Sequence, residues 1–134
     1  MMKFIVFLLV LFINLNAGDQ MKVVFKVGDE SVSATLNDSS AARQFYDMLP
    51  LEVKLENYGS NEKIFSLPNR LSTANTHPNL KVSVGDISYY APWGNIAIFH
   101  KPSRGDSQLY TIGGFDGDFS VVVNGSIAKI ERAK

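Results

Sequence analysis

"KVVFKVGDESVSATL", Lys22 to Leu36, alternates apolar and polar residues on both sides of a single turn. Val23, Phe25 and Val27 share one face, and Val32, Ala34 and Leu36 resume the rhythm after Gly28-Asp29-Glu30. Side chains in a strand alternate sides, so this period predicts a β-hairpin with one buried face. The same device recurs down the chain. "LEVKLENY" puts Leu51, Val53 and Leu55 inward, and "NLKVSVGD" does so with Leu80, Val82 and Val84. "IAIFH", ending at His100, reads as a strand buried on both sides, and Asn124-Gly125 in "FSVVVNGSIAKI" predicts a further hairpin turn.

One segment departs from this rhythm. "NDSSAARQFYDMLP" opens on the N-cap types Asn37 and Asp38 and stops at Pro50. Ala41, Phe45, Met48 and Leu49 fall on one helical face, with Ala42 beside them. Many short strands and one amphipathic helix predict a mainly β fold: a small closed antiparallel β-barrel with the helix as a lid over an open end or face.

Outside the barrel pattern, "MMKFIVFLLVLFINLNAGDQ" carries Lys3, then an apolar run from Phe4 to Ile13, then Ala17 before Gly18. A basic start, a short apolar stretch and a small residue at the cut describe a secretory signal peptide. The run is shorter than the roughly 20 residues of a spanning helix. The expected organisation is a signal peptide over residues 1–17 and one domain over residues 18–134, placed in the periplasm or secreted. Contact with a membrane is expected only through that segment if it stays uncleaved. The whole chain has 13 Lys+Arg and 13 Asp+Glu, and loss of Lys3 leaves one net negative charge. So even a balance gives no electrostatic case for nucleic acid. Without cysteine the fold has no disulfide to lean on, and its stability must come from a packed core.

In their order and spacing, "LPLEVKLENYGSNEKIFSLP", "VSVGDISYYAPWGNIAIFHK" and "IGGFDGD" resemble the small bacterial and archaeal cyclophilin-like domain proteins. The marks that carry the resemblance are Leu49-Pro50, Asn57-Tyr58-Gly59, Gly85-Asp86 and Pro92-Trp93-Gly94-Asn95. It spans about residues 21–130 and implies a closed barrel related to the cyclophilin fold. It does not by itself imply prolyl isomerase activity. The isomerases of that fold resemblance are marked by an arginine, a phenylalanine five residues on, a glutamine three beyond, and Gly-Gly-Asp. Their arginine steadies the twisted amide, whose barrier is about 18–20 kcal/mol. Here that spacing meets Arg104, Leu109 and Ile112 before Gly113-Gly114, so the aromatic and the glutamine are missing. "KPSRGDSQ" around Arg104 reads as an exposed loop, and Arg70 in "LPNRLS" is the other candidate cation.

Tyr89, Tyr90 and Trp93 around Pro92 form either an architectural turn or one wall of a binding face. "ENYGSNEK" could bring Asn57, Tyr58, Asn61 and Glu62 to a ligand at a barrel mouth. His77 and His100 lack the spacing of a metal pair, and no cofactor is expected. Asp116 to Phe119, "DGDF", reads as a turn because the position that should close a calcium loop is Ile127. The favoured reading is a non-catalytic binding module for a small molecule or an extended peptide, with no catalytic residues. Its candidate site is Asn57, Tyr58, Glu62, Tyr90 and Trp93. The alternatives are a degenerate prolyl isomerase using Arg70 or Arg104, and an adhesion protein presenting Arg104-Gly105-Asp106 on a mobile loop.

Overall fold

The computed structural model describes residues 20–134, so the expected signal peptide lies outside the described residues. Ten strands form one sheet: β1 (Met21–Val27), β2 (Glu30–Leu36), β3 (Leu51–Lys54), β4 (Glu56–Tyr58), β5 (Glu62–Ser66), β6 (Pro78–Val82), β7 (Asp86–Tyr90), β8 (Asn95–Phe99), β9 (Ser103–Phe115) and β10 (Ile127–Arg132). All their pairings are antiparallel, in the order β3-β10-β1-β2-β9-β7-β8-β5-β4, with β6 branching from β9. The two ends of that path are consecutive in the chain. Residues 51–54 pair with β10 and residues 56–58 pair with β5, so one continuous stretch nearly closes the barrel.

The hairpin expected from Lys22 to Leu36 is β1–β2, in register from Met21–Leu36 to Val27–Glu30 across a two-residue turn. Gly28 opens that turn at φ 60°, which suits a turn of the II′ kind. Inside the barrel, Val23, Phe25, Ala34, Ile87, Ile96, Ile98, Ile112 and Ile130 have no exposed surface. Each large apolar side chain so buried contributes about 1.5–3 kcal/mol. The Phe25 ring meets Phe115 edge-on at 5.0 Å and Phe65 at 6.4 Å.

The helix, α1 (Ser40–Met48), starts slightly later than the sequence suggests, because Ser39 is the N-cap and its Oγ accepts the Ala42 N–H at 3.2 Å. Asn37 instead accepts the Ser39 N–H and hydroxyl, which steers the chain into the helix. Ala41, Ala42 and Phe45 are buried in the barrel core, and Phe45 lies 6.4 Å from Phe65, as a lid requires.

Two expectations about strands fail. Asn124-Gly125 does not join two strands: Ser120–Val123 is a second short helix, α2, capped by Asn124 at φ −91° rather than the positive φ a hairpin turn needs. Asp118 accepts the Ser120 N–H at 2.9 Å and Val122 is fully buried, so local capping and packing override the β preference of three valines. Of the three apolar residues expected inward around β6, only Val82 is buried, while Leu80 and, just beyond the strand, Val84 are 65% and 52% exposed. This strand crosses outside the barrel, and its register shifts between Pro78 and Asn79. The residue it turns inward is polar. Asn79 is held by Asp86 Oδ2 at 3.1 Å and Ser88 Oγ at 3.3 Å, which ties β6 to β7.

Candidate functional site

The outward faces of β5, β7, β8 and β9 build a second, smaller apolar cluster that β6 covers at one side. Val82, Ala97, Phe99 and Leu109 are buried in it, with Ile64 and Tyr90 partly buried against them. Strand alternation explains the split: in β8, Ile96 and Ile98 point into the barrel, whereas Asn95, Ala97 and Phe99 point out. All five are buried, as a strand covered on both faces should be.

Above this cluster lies a groove of about 230 Å³. Its floor is Ile64, Ala97, Phe99 and Leu109; its aromatic rim is Tyr58, Tyr90 and Trp93; its polar side carries Glu62, Asn95, Ser103, Arg104 and Asp106. The rim follows from the β7–β8 turn. Pro92 and Trp93 occupy its tip, Gly94 adopts φ 68°, and the Gly94 N–H closes the turn onto Tyr90 O at 2.9 Å. Trp93 then meets Tyr58 at 5.2 Å and Tyr90 at 5.5 Å, both nearly perpendicular, and stays 53% exposed. Such edge-to-face contacts steady the rings while leaving aromatic surface for a ligand.

Four of the five expected site residues, Tyr58, Glu62, Tyr90 and Trp93, come together here. Asn57 does not line the groove; its Oδ1 accepts from the buried Lys63 Nζ at 3.0 Å. The reason is geometric: adjacent residues of a strand point to opposite faces, so Asn57 and Tyr58 cannot both enter one groove. Tyr89 is core, and its hydroxyl accepts the Leu71 N–H at 3.0 Å.

The loop expected around Arg104 is strand. Ser103 to Asp106 belong to β9 and pair with β6, with Lys81 opposite Arg104 and Asn79 opposite Asp106. This pairing removes the mobile loop that the adhesion reading needs. It also puts Arg104, one of the two candidate cations of the isomerase alternative, at the groove. Arg70 lies elsewhere, donating from Nη1 to Ala91 O at 2.8 Å with its stem packed against Gly94. Ile112, at the glutamine position of the isomerase pattern, is fully buried in the barrel and cannot reach the groove.

Asn95 stands out among the groove residues. It is 8% exposed, and its Oδ1 is buried without a hydrogen-bond partner. Sequence reading passed over it inside Pro-Trp-Gly-Asn, although counting by two from Ala97 and Phe99 places it on their face. Glu62 carries the other electrostatic signature: burial pushes its carboxyl above the ordinary value of 4.5. A raised carboxyl binds its proton more tightly folded than unfolded. The resulting stability is complete below the unfolded pKa and is lost as pH rises through the folded one. Glu62→Gln should therefore raise the melting temperature at pH about 7 and leave it unchanged near pH 4; thermal melts at both values check the sign.

A nearly closed antiparallel barrel, plugged by one helix and grooved on its outer face, defines the class of protein. The model of the cyclophilin-like family matches residues 25–130, and the chain belongs to that family. The solution structure of the hypothetical protein AF2241 from Archaeoglobus fulgidus superposes with a TM-score of 0.61 at 20% identity, covering 87% of this chain and 99% of that one. No curated protein matches the chain.

Proposed function

We propose that the protein is an exported, non-catalytic binding module whose outer-face groove holds a small molecule or one residue of an extended peptide. The observation that carries this reading is the convergence of three aromatic rings and the buried Asn95 amide over an apolar floor. Binding sites characteristically combine apolar walls with a few placed polar groups. At about 230 Å³ the groove is smaller than the roughly 300–1,000 Å³ that enclose a drug-sized ligand. It suits one ring or one side chain. Export rests on the signal-like start of the sequence, and the partner is a soluble ligand rather than nucleic acid.

A second reading, prolyl isomerase, is favoured by one observation: Arg104 and Leu109 line the same groove at the isomerase spacing. Against it stands Ile112, whose side chain belongs to the barrel interior. Exchange spectroscopy of an Ala-Pro peptide separates the readings, because uncatalysed isomerisation takes tens to hundreds of seconds. The binding module shifts the peptide's resonances and leaves the exchange rate unchanged. Acceleration that disappears in Arg104→Ala would establish the isomerase instead, and unchanged shifts and rate together would remove the peptide as a ligand class.

A further inference from the structure

Asn95 opens β8 between the Trp93 turn and the apolar floor, with Ala97 and Phe99 following on its own face. Its Oδ1 is the buried side-chain polar atom left without a partner among the described residues. A buried acceptor left so is destabilising, and folded proteins seldom keep one without a use. Neighbouring polar groups are engaged elsewhere: Asp106 Oδ1 accepts the Gln108 N–H at 2.7 Å, and Asn79 Nδ2 serves Asp86 and Ser88. The terminal torsion of an asparagine is broad, so the amide plane turns at little cost. Turned to the groove, it offers an acceptor and a donor side by side.

The group that answers both at once has an N–H and a C=O on one planar edge. We infer that the groove selects lactam- or primary-carboxamide-bearing ligands, whose N–H and C=O pair with the Asn95 carboxamide while their apolar flank rests on Ile64, Ala97 and Phe99. This inference rests on the binding reading above and names the ligand class of that site. The charges around the groove favour a neutral ligand over an ion: its lining holds one cation, Arg104, and two carboxyls, Asp106 and Glu62, and burial favours the neutral form of Glu62.

The test is a pair of matched probes, dihydroquinolinone and dihydrocoumarin, which differ by a lactam N–H in place of a lactone oxygen. Protein-observed NMR follows the indole N–H of Trp93, the chain's one tryptophan, and the Asn95 carboxamide. The lactam should bind about ten- to a hundredfold more tightly than the lactone. That preference should fall to near onefold in Asn95→Ala and persist in Asn95→Asp, which keeps an acceptor oxygen. Isovaleramide and methyl isovalerate repeat the comparison in an open chain; the tighter of the two amides distinguishes a compact ring from an open-chain carboxamide such as a peptide's glutamine side chain. Equal lactam and lactone affinities in the unaltered protein, with Trp93 still shifting, would overturn the inference and leave the binding reading standing. Trp93 unmoved by all four probes would overturn both.

Discussion

Gly105→Ala lowers stability by about 3 kcal/mol, the upper end of what overpacking usually costs, and opens the groove. A Cβ at Gly105 would lie 1.7 Å from Asn79 O and 2.6 Å from the Leu80 carbonyl carbon. Both are backbone atoms, so no side-chain rotation relieves the clash, and β6 must move away from β9. That movement would break the Asn79 contacts to Asp86 and Ser88 and uncover Val82, which is 3% exposed. Glycine inside a strand characteristically marks such a close approach of another backbone. Gly117→Ala is the control, since nothing lies within 4 Å of its added Cβ; its effect should stay within about 0.5 kcal/mol. Urea unfolding of the three proteins measures the difference, and equal midpoints for Gly105→Ala and the unaltered chain would refute this account of β6.

Phe25→Ala costs about 3–5 kcal/mol, the range for truncating a fully buried phenylalanine. The ring has no exposed surface and joins Phe65 and Phe115 across the barrel interior. A typical domain has about 5–15 kcal/mol in total, so this single cavity removes a large share of the margin. Trp93→Ala, at a side chain 53% exposed, should leave the unfolding midpoint close to that of the unaltered chain. The contrast tests a division of roles in which the inner cluster carries stability and, on the proposed reading, the outer rim is left for binding. Denaturant curves for both variants check it, and a Trp93→Ala loss as large as that of Phe25→Ala would merge the two roles.

Where one face of a strand is buried and the other solvated, the sequence announced the structure. The Val23-Phe25 and Ala34-Leu36 alternation predicted β1 and β2 because burial of one side leaves its mark at every second residue. The helix was legible for the same reason, at the helical period. The pattern failed where burial was not one-sided. Leu80 and Val84 alternate like core residues, yet β6 lies outside the barrel and buries Asn79, a polar residue made acceptable by Asp86 and Ser88. Pro102, Gly105 and Asp106 carry the composition of a loop, but Gly105 serves a close strand approach rather than a turn. Asn124-Gly125 carries a hairpin signal that α2 overrides. Of the groove, the aromatic rim was readable because Tyr58, Tyr90 and Trp93 flank turn residues. Asn95 was not, and Arg104 was legible only through the isomerase spacing and was expected in a loop, since the placement of both depends on which of several strands come to share an outer face.

On the proposed reading, the outer-face groove, rather than any other surface, is where the protein takes its ligand. Soaking crystals with a mixture of small aromatic and amide-bearing fragments tests it most directly. Fragment density is expected in the groove bounded by Trp93, Asn95 and Arg104. Density only at the shallow depression formed by Lys26, Ile127 and Lys129 on β1 and β10, with the groove empty, would contradict it.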